Sequence, residues 1–165
     1  MSKSTCIRKW KNQIISELSN DDEIIDALGL NNDEDADNLV WNRIYPHLWI
    51  PQTEEAAKSY LLLEINIPER RTRYGSTNNP VYVHPTIYFY VLVHQEDMKL
   101  NLAGESGTRM DYLAELIENK YEGRRGFGLG QLTLKSNIAS SVNSTYRLRE
   151  LIFEAVDFDD GLCNG

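Results

Sequence analysis

Residues 108–136, TRMDYLAELIENKYEGRRGFGLGQLTLKS, decide how this chain folds. Their first sixteen residues read as a helix, because Met110, Leu113, Ile117 and Tyr121 recur at spacings of three and four, with Leu116 widening the stripe. Thr108 and Asp111 stand at capping-box spacing, with Asp in place of the usual Glu or Gln. Gly123 suits the left-handed position that follows a last helical turn. Four glycines then fall within residues 123–130, and LGQLTLKS reads as a strand. A glycine-rich loop cradles phosphate when it leaves a strand and opens a helix. Here it leaves a helix and opens a strand, with neither a GK[ST] end nor GxGxxG spacing. The glycines are therefore expected to cap the helix and turn the chain tightly. The alternative is close approach to a neighbouring subunit, with Arg124 and Arg125 reaching across.

Working outward, residues 4–19 place Ile7, Trp10, Ile14 and Leu18 on one helical face. Ser19 or Asn20 can cap a short helix over DDEIIDALG, whose acidic first turn suits the positive helix end, with Gly29 closing it. LNNDEDAD is a polar loop, NLVWNRI reads as one or two helical turns, and the aromatic segment YPHLWIP ends at Pro51. A strand is expected at about 58–67, and RRTRYGSTNNP is a turn-rich loop. TIYFYVLVH, residues 86–94, is apolar on both faces and rich in β-branched and aromatic types, as a central strand is. STYRLRELIFEAVDFD reads as a long final strand. The order predicts an α+β fold: a mainly antiparallel sheet of about four strands with the 108–122 helix on one face. The N-terminal helices form an appendage or a second layer. One domain over residues 1–165 is expected, with 1–40 as a helical extension and 41–160 as the sheet-plus-helix core.

The 165 residues suit one core, and 41% apolar with nine tyrosines argues against disorder. Seventeen basic against 25 acidic residues give a net charge of −8, which disfavours a sequence-reading DNA binder. Cys6 and Cys163 lie at opposite ends with no zinc-type spacing. Reduced thiols are expected, with a terminal staple as the alternative. No apolar run approaches the ~18 residues of a membrane span.

Catalytic signatures are missing from the pattern. His84 and His94 are ten residues apart, roughly 33 Å along a straight strand, and His47 stands in the aromatic segment. Each reads as a packing or surface residue. DEDAD, residues 33–37, begins like a calcium loop, but the pattern then needs Gly and Glu where Asn38 and Ile44 stand. GESG, residues 104–107, is not a nucleophile elbow. Glu54 with Glu55, and Asp159 with Asp160, are sequence neighbours and make poor acid–base partners. The expectation is a protein with no enzymatic activity, no cofactor and no metal. RRTRY groups Arg70, Arg71, Arg73 and Tyr74 in one loop. It reads as an exposed loop, as a single-strand nucleic-acid contact, or as a patch that meets an acidic neighbour.

The succession WNRIYPHLWIPQTEEAAKSYLLLEINI, PTIYFYVLVH, GTRMDYLAELIENKYEG, GLGQLTLKS and a strand ending VDFD, over residues 41–160, resembles small neck proteins of tailed bacteriophages. These are the tail-terminator, tail-completion and head–tail connector types. The resemblance implies a structural subunit of the virion, assembled in the host bacterial cytoplasm as a homo-oligomeric, six-fold ring. Such a ring caps the tail-tube protein, joins it to the head–tail connector, and lets DNA through its lumen without sequence-specific binding. A ring needs two different complementary patches. Arg70, Arg71 and Arg73, with Arg124 and Arg125, are candidates for one. The acidic loops at 21–23 and 33–37, with Asp33, Glu34 and Asp35, are candidates for the other. The alternative function is a cytoplasmic protein-binding adaptor that presents YPHLWIP.

Overall fold

The computed structural model describes residues 2–30, 38–51, 57–68, 71–73 and 81–158, with the side chains of 71–73 and 158 excepted. Among the described residues three α-helices, α1 (Lys3–Ser19), α2 (Asp22–Ala27) and α3 (Arg109–Tyr121), and a 3-10 turn (Gln95–Asp97) accompany eight strands: β1 (Ile44–Tyr45), β2 (Ser59–Asn66), β3 (Arg71–Arg73), β4 (Val81–Val83), β5 (Thr86–His94), β6 (Thr133–Ser141), β7 (Tyr146–Glu154) and β8 (Asp157–Phe158). The main sheet has the order β1-β2-β5-β7-β6, and a smaller one the order β3-β4-β8. The class is α+β. The main sheet has five strands rather than about four, and the β1–β2 pair is parallel.

β5 is the middle strand, antiparallel to β2 on one side and β7 on the other. Its front face sends Ile87, Phe89, Val91 and Val93 into the main core, where they meet Leu61, Leu63 and Ile65 of β2 and Leu151 and Phe153 of β7. Met110, Leu113, Ile117 and Tyr121 of α3 close over that face, each buried. Burial of each such side chain is worth about 1.5–3 kcal/mol. Trp10, Ile14 and Leu18 of α1 join the same core, so the N-terminal helices form a layer on the sheet and not an appendage. The back face carries a smaller cluster of Tyr60, Leu62, Leu92 and Tyr146, covered in part by Tyr45 and Trp49.

Local chemistry explains the helix ends. The Thr108 hydroxyl accepts from the Asp111 N–H at 3.1 Å and donates to its carboxylate at 2.7 Å, completing the cap. Asp21, not Ser19 or Asn20, caps α2 by accepting from Glu23 and Ile24. The Ser19 and Asn20 side chains instead donate back to the Ser16 carbonyl and close α1. NLVWNRI forms a tight turn in which the N–H groups of Asn42, Arg43 and Ile44 all approach the Leu39 carbonyl. That leaves no room for a second helical turn before β1. Arg71–Arg73 extends as a strand paired to β4, where a loop was expected. The long C-terminal strand breaks at Ala155–Val156, and β8 crosses to the smaller sheet.

The glycine stretch takes its packing role. Gly123 (φ +72), Gly126 (φ +103) and Gly128 (φ +90) occupy left-handed backbone. Between them Phe127 is buried edge-on against Trp10, with ring centroids 5.7 Å apart. A Cβ on Gly128 would lie 2.4 Å from the Val156 carbonyl oxygen. The loop thus seals the sheet end where β7 gives way to β8.

Arg109 opens α3 and is buried. Its guanidinium donates to the carbonyls of Ala27 (2.5 Å), Asp97 (2.8 Å) and Lys99 (3.4 Å), and lies 3.3 Å from the Asp97 carboxylate. One side chain therefore ties the end of α2 to α3 and to the turn after β5. Cys6 is fully buried and disulfide-bonded, which corrects the expectation of reduced thiols. Cys163 lies outside the described residues.

Candidate assembly interface

The residues singled out from the sequence divide sharply. Arg70, Asp33, Glu34 and Asp35 lie outside the described residues. Arg71 and Arg73 sit on β3 opposite Val83 and Val81. Arg124 faces inward: its guanidinium forms a two-pronged pair with the Glu17 carboxylate, both contacts 2.5 Å, and stacks 5.4 Å from the Tyr121 ring and 5.5 Å from Phe127. Tyr121 donates its hydroxyl to the same carboxylate at 3.0 Å. Burial pushes the Glu17 carboxyl up, but hydrogen bonds from Arg124, Gln13 and Tyr121 outweigh it and hold it below the usual 4.5. Burial, followed by the Glu17 charge, drives the Tyr121 phenol far above its ordinary range. Arg124 is thus committed within the subunit, while Arg125 beside it is exposed. In the acidic 21–23 turn, Asp21 caps α2 and pairs with Lys120.

The histidines stay apart. His94 Nδ1 accepts from the Glu96 N–H at 3.1 Å, and its ring meets Tyr146 edge-on. His84, at the other end of β5, lies 3.8 Å from the Glu154 carboxylate. His47 packs between Trp41 and Tyr45. Ser106 lies in an exposed loop beside Gly107, whose φ is +105°. Among the described residues, no three His, Cys, Asp or Glu side chains group as metal ligands would.

What the fold does present is two unlike sheet edges. At one, β6 has β7 on its inner side, and among the described residues no strand follows it outward. Asn137–Ser141 is exposed throughout, and Ile138 is 60% exposed. Helix α3 runs beside this edge with Asp111, Glu115, Glu118 and Glu122 spaced four, three and four apart. Glu122 accepts the Leu134 N–H, Glu118 accepts from Asn137, and Asp111 holds Arg149, which also donates to Asn137. Between helix and strand lies a groove of about 240 Å³ with Asp111, Glu115 and Glu118 on its walls.

At the other edge, the turn before β1 carries Trp41, 60% exposed, with Leu48 and Ile50 beyond it at 47% and 40%. Trp41 has φ 72°, which a bulky residue adopts only under strain. Trp49, by contrast, is half-buried, stacked 4.5 Å from Tyr45 and edge-on to Tyr60. Lys11 of α1 reaches around this edge to the Pro46 carbonyl and the Glu64 carboxylate.

Residues 14–155 match the YomW family. The chain belongs to the YomW family. The family match begins inside α1, so most of the helical layer belongs to the family region. Among curated proteins none matches this sequence. Among solved structures, the chain is similar to one from the virion of a native gene transfer agent particle, at 16% identity and a TM-score of 0.51. The match covers 87% of this chain and 91% of that one. At such identity the likeness is one of fold. It covers most of both chains, so this YomW-family member shares a fold with a chain of that particle.

Sequence reading missed the α3 acidic stripe and the β6 edge. The stripe carries a signal, a carboxylate at every helical turn on one side, interleaved with the apolar stripe that names the helix.

Proposed function

We propose that this protein is a structural subunit of a phage-type virion, placed at the head–tail junction. There it forms a ring that ends the tail tube, meets the connector and lets DNA pass. The observation that carries the reading is the near full-length fold likeness to a chain of a gene transfer agent virion. Two unlike sheet edges on one compact subunit support it, because head-to-tail contacts that close make rings. A net charge of −8 suits a lumen through which DNA slides without adhering. In this reading Arg125 and the β3 arginines remain candidates for contacts between neighbours, and six copies is the expected ring size. The half-burial of Trp49 on Tyr45 and Tyr60 does not support the adaptor reading, which offered YPHLWIP as its docking surface.

The test is mass in solution and negative-stain imaging of the full chain, alone and mixed with tail tubes. A closed ring in either sample, seated at tube ends in the mixture, is the expected result. A chain that stays monomeric in both overturns the proposal.

A further inference from the structure

Resting on that ring, we propose that neighbouring copies join through opposite edges of the main sheet. The β1 edge of one copy, with the flank of α1 beside it, docks on the β6 edge and α3 groove of the next.

The β6 edge is unguarded. Natural edge strands discourage pairing by brevity, proline, charge or a bulge. Here the one lysine, Lys135, and the one register irregularity, between Leu134 and Ser136, both fall at the start of a nine-residue strand. Asn137–Ser141 is then exposed throughout, carrying polar or small side chains and a single large apolar one, Ile138. The opposite edge supplies apolar side chains to meet it: Trp41, Leu48 and Ile50. Trp41 is held in left-handed backbone, which strains a bulky residue, and it is largely in solvent. Tryptophans so placed are frequent anchors of protein interfaces.

Charge agrees with the same pairing. Residues Lys3–Ser16 of α1 contain Lys3, Arg8, Lys9 and Lys11 and no carboxylate; Lys11 is held by Glu64, while Arg8 and Lys9 are exposed. This helix packs against β1 and β2. On the far side, α3 packs against β5 and β7 and presents its carboxylates toward β6. Within that groove the cation Arg149 is already bound by Asp111 and Asn137. The basic flank of one copy and the acidic flank of another are therefore complementary, and the two lie at opposite edges of the same sheet. The occupant of the β6 edge is a second copy of this chain.

The test uses the full chain with Ile138 replaced by the photocrosslinking residue benzoylphenylalanine, and maps crosslinked peptides. Crosslinks between copies should land in residues 41–50. Crosslinks between copies that land elsewhere overturn the edge pairing and leave the ring standing. Arg8→Glu and Glu115→Arg, both at exposed positions, should each weaken self-association by about 3-fold to 10-fold in sedimentation, as an exposed attractive pair turned repulsive does. The double variant should recover most of the loss. Single variants that assemble as the parent does, with unchanged circular dichroism, overturn the pairing. A chain monomeric at every concentration, alone and with tail tubes, overturns the ring and the pairing together.

Discussion

Replacing the glycines of 123–130 one at a time separates packing from mere flexibility. At Gly128 a Cβ would stand 2.4 Å from the Val156 carbonyl oxygen and 3.1 Å from Asp157 Cβ. The Leu129 N–H donates to that same oxygen at 2.8 Å, so neither backbone can swing aside cheaply. Two costs add in Gly128→Ala. An alanine at φ +90° costs about 1–2 kcal/mol more than glycine, and forcing a methyl against fixed backbone costs about 1–3 kcal/mol. The sum is about 2–5 kcal/mol. Gly126→Ala meets only the first cost, because φ is +103° and nothing lies within 4 Å. Gly130→Ala meets neither, and should be neutral or stabilising by about 0.4–1 kcal/mol through the unfolded chain. Urea unfolding at one fixed protein concentration reads the three values. The expected order of loss is 128, then 126, then 130. Equal losses at 128 and 126, or a loss largest at 130, would refute the claim that close approach to Val156 sets this loop.

Arg109→Met removes donors to three carbonyls and the partner of Asp97 from a buried site, and should cost about 3 kcal/mol or more, read as a fall in Tm of roughly 6–12 °C. Arg124→Met leaves the Glu17 carboxylate short of its two-pronged partner; because the pair is about a quarter exposed (29% and 23%), the expected loss at neutral pH is about 1–3 kcal/mol by urea midpoint. Glu17 has its folded-state pKa lowered, so its stabilisation is present above about 4.5, the unfolded value, and is lost as pH falls through the folded pKa. Asp21, whose carboxyl is raised by burial but lowered more by Lys120 and the α2 amides, to a net below 3.8, adds a further loss as pH falls below that unfolded value. The Arg124→Met variant should lose less stability on acidification than the parent, since its Glu17 has less to give up. In the proposed ring, raising salt should weaken self-association, measured by sedimentation, because the flanks that meet are opposite in sign.

Much of the architecture was legible because long elements carry a period. α3 and β5 extend over 13 and nine residues, and the one-sided and two-sided apolar patterns named their type and their depth in the core. The two-residue β1 and the three-residue β3 and β4 are too short to show a period. They exist because a neighbour supplies the hydrogen bonds, as when Arg43 O accepts the Leu61 N–H and aligns β1 with β2. Burial of Arg109 was illegible for a related reason. Beside a helix cap an arginine reads as solvated, and only the carbonyls gathered from residues 27, 97 and 99 make a home for it. Arg124 and Arg125 show the limit of reading charge as a run. They are adjacent in sequence, yet one is drawn under the helices by Glu17 and the Tyr121 and Phe127 rings while the other is left outside.

The distribution of charge bears on symmetry as well as on contact. In a two-fold pair each patch meets its own copy. Two β6 edges brought together in this way would set one α3 stripe near another, where Asp111 is offset by Arg149 but Glu115 and Glu118 face their like, and like charges in apposition are costly. Two β1 edges would bring together α1 flanks on which the cations Arg8 and Lys9 are exposed. Either two-fold arrangement thus works against itself. Joining one edge to the other relieves both repulsions in a single contact, and lets the exposed Ile138 and Trp41 be covered at the same step. A head-to-tail contact then has only two ends, a filament or a closed ring, and the angle between successive sheets decides which.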